Sequence, residues 1–145
     1  MSDVKSEATV NMTKRLQGVL GMLSSQFVLG LAAATVADYD PDTKTGNKTV
    51  HDIILGLHIL LAVGILVIAI QLLVRAKKSV PKQFAVSVVG LIAVLASIGF
   101  GITRMAVDSE WYTFGMGTGF VVAISVYGAM LGNIQLHRIP EEQDS

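Results

Sequence analysis

The chain holds three histidines and no cysteine. His58 lies inside an apolar run, Gly56-Leu57-His58-Ile59-Leu60-Leu61-Ala62. An ionisable group in such surroundings is costly to keep and so points to function. A neutral imidazole there has three uses: to hydrogen-bond a neighbouring helix, to ligate a heme iron or another metal, or to relay a proton. His51 lies one heptad earlier. Seven residues of helix turn ~700° and rise about 10 Å, so both rings share one face at different depths. Ligands on opposite sides of one heme iron cannot both come from this helix; a second ligand has to come from another helix or another subunit. Arg104 ends an apolar run. Asp108, one turn on, is its simplest partner. The alternative is an anchor for an anionic group such as a heme propionate, with Lys48 and His51 at the same level. His137, beside Arg138, reads as an interfacial residue.

Other chemistries have no residues to carry them. Without cysteine there is no disulfide scaffold, cysteine zinc site, iron–sulfur cluster or thiol nucleophile. No serine–histidine–carboxylate pattern stands out, and Gly115-x-Gly117-x-x-Phe120 does not complete a dinucleotide fingerprint. Every Asp and Glu falls in a tail, a loop or an interface, which counts against a proton-driven transporter. Gln26, Gln71, Ser24, Ser25, Ser97, Thr118, Ser125 and Tyr127 read as interhelical or backbone hydrogen-bonders.

The elements that position these residues are membrane helices. The 145 residues suffice for one domain. They are 52% hydrophobic and 15% charged with zero net charge, which excludes a disordered tail and a nucleic-acid binder. A bilayer core needs about 20 apolar residues of helix. Four stretches qualify: 16–37, 52–74, 84–103 and 111–134. Runs such as Ile65-Leu66-Val67-Ile68-Ala69-Ile70 are apolar at every position, unlike the alternation of a membrane barrel. The sequence therefore predicts an all-α, integral membrane four-helix bundle over 16–134. An arm, 1–15, precedes it and a tail, 135–145, follows. Its first partner is the lipid bilayer. The first run exceeds a signal-peptide core of roughly 7–15 residues, so it reads as a span.

Charge sets the orientation. Lys5, Lys14, Arg15, Arg75, Lys77, Lys78, Lys82 and Arg138 fall on one side; Lys44, Lys48 and Arg104 fall on the other. The positive-inside rule places both termini in the cytoplasm, in a cytoplasmic membrane of prokaryotic type. Tyr39, Trp111 and Tyr112 sit where an outer aromatic belt belongs. Short loops then predict an up-down-up-down bundle. Spans three and four are rich in glycine, and Ser97/Gly101 and Gly128/Gly132 are small-xxx-small pairs. Such pairs pack helices within one bundle or form a seam with a second copy or a larger membrane complex. The residues alone thus admit a protein that binds heme or another metal at His58, a non-catalytic accessory subunit and, lacking buried charge, least of all a small transporter.

Two segments carry a family resemblance. Leu23-Ser24-Ser25-Gln26-Phe27-Val28-Leu29-Gly30, followed after a loop by Leu57-His58-Ile59-Leu60-Leu61-Ala62, resembles one four-helix half of the heme A synthase family. Ile98-Gly99-Phe100-Gly101-Ile102-Thr103 is similar to the first helix of the next pair. The resemblance implies a heme near the outer face, with ligands from the second and fourth helices. His58 matches the second-helix ligand. The fourth-helix position falls in Phe114–Phe120, where Met116 is the available axial substitute. Gly115, Gly117 and Gly119 lie at that depth and would leave room for a flat macrocycle. The family's catalytic Glu is Leu55 here, and the Arg after its His is Ile59. These departures remove the synthase acid and the second histidine. They count against an enzyme without deciding it. What the resemblance leaves is a site of His58, His51, Arg104 and Met116 for one five-coordinate heme or another hydrophobic cofactor, a support for heme or respiratory-complex assembly, or the scaffold alone.

Overall fold

A computed structural model describes residues 2–35, 48–79, 81–107 and 110–136. It is all-helical over these residues, with α1 Ser2–Thr35, α2 Lys48–Ser79, α3 Phe84–Ala106 and α4 Glu110–Leu136. Some boundaries differ from the sequence expectation for local reasons. α1 starts at Ser2 rather than near Leu16, because residues 2–15 contain neither Gly nor Pro to stop it. Residues 2–15, expected as an arm before the first span, are helix continuous with it. Pro81, a residue suited to starting a helix, opens a 3₁₀ turn, Pro81–Gln83, and α3 follows it from Phe84. α3 ends where Val107 turns extended, its N–H still donating to the Thr103 carbonyl at 2.9 Å.

Among the described residues three helices are long and apolar enough to cross a membrane: Lys48–Lys78, Pro81–Arg104 and Trp111–Leu136. Only 11%, 22% and 17% of their apolar windows are buried, so most of that surface faces outward and suits a lipid bilayer. Most of the first expected span, 16–37, lies in α1, and its last two residues lie outside those described. α1 packs against α2 and α4.

Each helix contributes one inward stripe at heptad spacing. Met12, Leu16, Val19, Leu23 and Gln26 are buried on α1; Ile65, Ala69, Leu72 and Ala76 on α2; Ser87, Gly90 and Val94 on α3, with Ala93 beside them; Ala123, Tyr127, Met130 and Ile134 on α4. This spacing of three and four residues keeps a seam facing its neighbours along nearly parallel axes. The core is not centred along the bundle. It runs from the Met12, Ala76 and Ile134 end and stops near Gln26, Ile65 and Ala123. Residues 48–62 of α2 and 111–122 of α4 contain no fully buried side chain.

Candidate functional site

The register of the helices fixes the depth of each candidate residue. Arg15 Nη1 donates to Gln71 Oε1, and Gln26 Nε2 donates to the His58 carbonyl at 3.1 Å. A Cβ on Gly64 would strike the tip of Met22. Residue numbers on α1 rise as those on α2 fall, so the two helices run antiparallel. On the other side, Ser87 Oγ meets Met130 Sδ at 3.6 Å, and a Cβ on Gly90 would lie 2.7 Å from the Tyr127 ring. A Cβ on Gly101 would lie 3.3 Å from Met116 Sδ. α3 and α4 are likewise antiparallel. The Phe27 and Phe120 rings, 6.3 Å apart, bring α1 and α4 to the same level.

Extending the inward stripes past the core gives 62, 58, 55 and 51 on α2, 120 and 116 on α4, and 101 and 104 on α3. His58, His51, Met116 and Arg104 therefore all fall on or beside the inward stripes at the same, less buried end. His58 lies at the level of Gln26 and Phe27. Met116 is about one turn further out, and His51 and Arg104 about two turns. His58 is half-buried. Among the described residues its imidazole has no hydrogen bond; its carbonyl is the group that Gln26 engages.

The other three residues are drawn to neighbours on or near their own levels. His51 Nδ1 lies 3.4 Å from Asp52 Oδ1, and Lys48 Nζ lies 2.7 Å from the other oxygen of that carboxylate. This exposed cluster is worth little in stability but sets the charge at the mouth. Arg104 Nε donates to Thr113 Oγ1 at 3.3 Å, joining the end of α3 to the start of α4. Asp108, its expected partner, lies outside the described residues, as do His137, Arg138, Tyr39 and the loop residues 36–47. Met116 places its sulfur against Gly101 on α3.

The glycines of α4 divide into two sets. Gly115 is filled by the Phe100 ring, 2.9 Å from a built Cβ, and Gly119 by Ser97 Oγ at 2.5 Å. The room expected beside them for a macrocycle is occupied by α3. Ser97 shares its proton between the Ala93 carbonyl at 3.0 Å and the Met116 carbonyl at 3.3 Å, which ties the pair together at this point. Gly117, Gly128 and Gly132 have nothing within 4 Å of a built Cβ and lie on the outward face. So the Ser97/Gly101 pair serves packing within the bundle, and the Gly128/Gly132 pair does not.

Sequence reasoning missed the tie between Gln26 and His58. The signal was the matching heptad registers, which put both on inward stripes of adjacent helices. Gln26 Oε1, the adjoining acceptor, is buried without a partner among the described residues, as is the Tyr127 hydroxyl deeper in the bundle. Such groups hold a latent demand for a donor or a water. No cluster of three or more metal-binding side chains forms among the described residues. No protein-family model, curated protein or solved structure matches the chain.

Proposed function

We propose that the chain is an up-down-up-down membrane bundle with both termini in the cytoplasm, and that it works as a non-catalytic accessory subunit docking through α4. The observation that carries this is the split among the glycines. Where Gly90, Gly115 and Gly119 are filled by neighbours, Gly128 and Gly132 stay open on the outward face. Small residues on a lipid-facing helix allow a second helix to approach closely, with packing rather than hydrophobic transfer as the driving force. The partner is a second copy or a larger membrane complex. In a mild detergent the wild type should migrate well above its 15.4 kDa monomer mass, and Gly128→Leu should return it to the monomer with helical content unchanged. A wild type that is already monomeric, or a variant that stays associated, would remove the seam.

A second reading is favoured by one observation, the half-buried imidazole of His58 with no hydrogen-bond partner among the described residues. With the resemblance to a heme A synthase half, it supports a five-coordinate heme on His58, with Arg104 and His51 near the propionate level. A six-coordinate heme within one chain is not supported, since Met116 packs on Gly101, and Gly115 and Gly119 near it are filled. A bound heme would supply an iron and a redox couple. The chain would supply a neutral nitrogen ligand, and Gln26 would hold the helix that bears it. Hemin added to detergent-solubilised protein should give a shifted Soret band in the wild type. His58→Ala should lose it, and Arg104→Ala should weaken it with the ligand field intact. Equal spectra from wild type and His58→Ala would leave docking as the function.

A further inference from the structure

We infer that the seam between α1 and α2, at its basic end, is a headgroup site for an anionic phospholipid. Arg15 on α1 reaches across to Gln71 on α2. Arg75 and Lys78 follow Gln71 by four and seven residues. On a helix these three positions fall within about 60° of one another around the axis. The flank of α2 that meets Arg15 therefore also bears Arg75 and Lys78. Three cations thus line one interhelical edge over an axial rise of about 10 Å. Arg15 and Arg75 are half-buried, and Lys78 is exposed.

Among the described residues none of the three has an acidic partner; the ion pairs there involve Lys48, His51 and Asp52, all at the opposite end of the bundle. Gln71 takes one Nη1 proton of Arg15 and leaves the rest of the guanidinium fork to face an acceptor. A planar donor fork held by a neutral amide, next to a second arginine, suits phosphate oxygens bound by two parallel hydrogen bonds.

What lies beyond the cations selects a lipid over a free anion. Val67 and Val74 are 47% and 48% exposed on the neighbouring flank of α2. Gly18, on the adjacent flank of α1, has nothing within 4 Å of a built Cβ. A phosphate at Arg15, Arg75 and Lys78 would hang its acyl chains over this smooth apolar surface, toward the membrane centre. Basic pockets between membrane helices on the cytoplasmic side take anionic headgroups in this way, at about 1 kcal/mol per cation. The site is at the end of the bundle away from His58 and on a helix pair other than the α4 seam, so it stands or falls independently of both readings above.

The test uses the full chain in a neutral detergent, with three additives: phosphatidylglycerol, phosphatidylcholine and inorganic phosphate. Phosphatidylglycerol should raise the thermal denaturation midpoint and remain bound in native mass spectrometry; the other two should do neither. Arg75→Gln/Lys78→Gln, which leaves the Arg15–Gln71 contact in place, should bind it roughly 30-fold more weakly. Lys48→Gln, at the far end, should bind as the wild type does. An equal shift from phosphatidylcholine would reduce the seam to ordinary annular contact. A shift from phosphate alone would mean an anion site without lipid specificity. An unaltered phosphatidylglycerol response in the double variant would place the lipid elsewhere. Each of these results overturns the assignment.

Discussion

Gly119→Ala should destabilise the bundle, although glycine-to-alanine in a helix ordinarily stabilises. Inside a helix alanine is favoured over glycine by roughly 0.5–1 kcal/mol, because glycine loses more backbone freedom on folding. At Gly119 packing opposes this. The added methyl would sit 2.5 Å from Ser97 Oγ, 3.1 Å from the Ala93 carbonyl oxygen and 3.3 Å from the Ser97 nitrogen. The serine hydroxyl can rotate away only by leaving the two carbonyls it now joins. The other two atoms are backbone, so α3 itself must retreat. Overpacking of this kind costs about 1–3 kcal/mol. Gly117→Ala meets nothing within 4 Å and should be neutral or slightly stabilising. The check is the thermal midpoint of the two variants side by side in detergent, and equal midpoints would mean that α3 and α4 do not approach as closely as described.

Orientation predicts an all-or-none result. Lys48 and Lys82 are both exposed, at opposite ends of the α2–α3 pair. The basic residues near Lys82 outnumber those near Lys48, which should hold the Lys82 end in the cytoplasm. In intact cells a cysteine replacing Lys48 should react fully with an impermeant maleimide. One replacing Lys82 should react only after the membrane is opened. The chain has no native cysteine, so the background is nil. The opposite pattern would invert the bundle and put the phospholipid site in the other leaflet.

The sequence made the helices legible because lipid exposure simplifies the signal. A run such as Ile65 to Ile70 has to be helical wherever it meets hydrocarbon, and α2, α3 and α4 contain the expected spans. Their ends were less legible. Polarity does not stop a helix, so residues 2–15 continue α1, and Pro81 opens a 3₁₀ turn before α3. That His51 and His58 share one face of α2 followed from heptad spacing. The division among the glycines did not. Gly115 and Gly128 look alike in a one-dimensional pattern, and only the neighbouring helix decides that Phe100 fills one while the other stays open. The Gln26 to His58 tie was hidden for the same reason, since it joins residues 32 positions apart.

The core that stops near Gln26, Ile65 and Ala123 makes the bundle resemble a tuning fork, with a closed stem and two prongs, α1 with α2 and α3 with α4. Local opening takes the least free energy where the fewest apolar contacts must be broken, so motion concentrates in the prongs. His51, His58, Met116 and Arg104 ride on these prongs, and the three cations of the α1/α2 seam grip the stem.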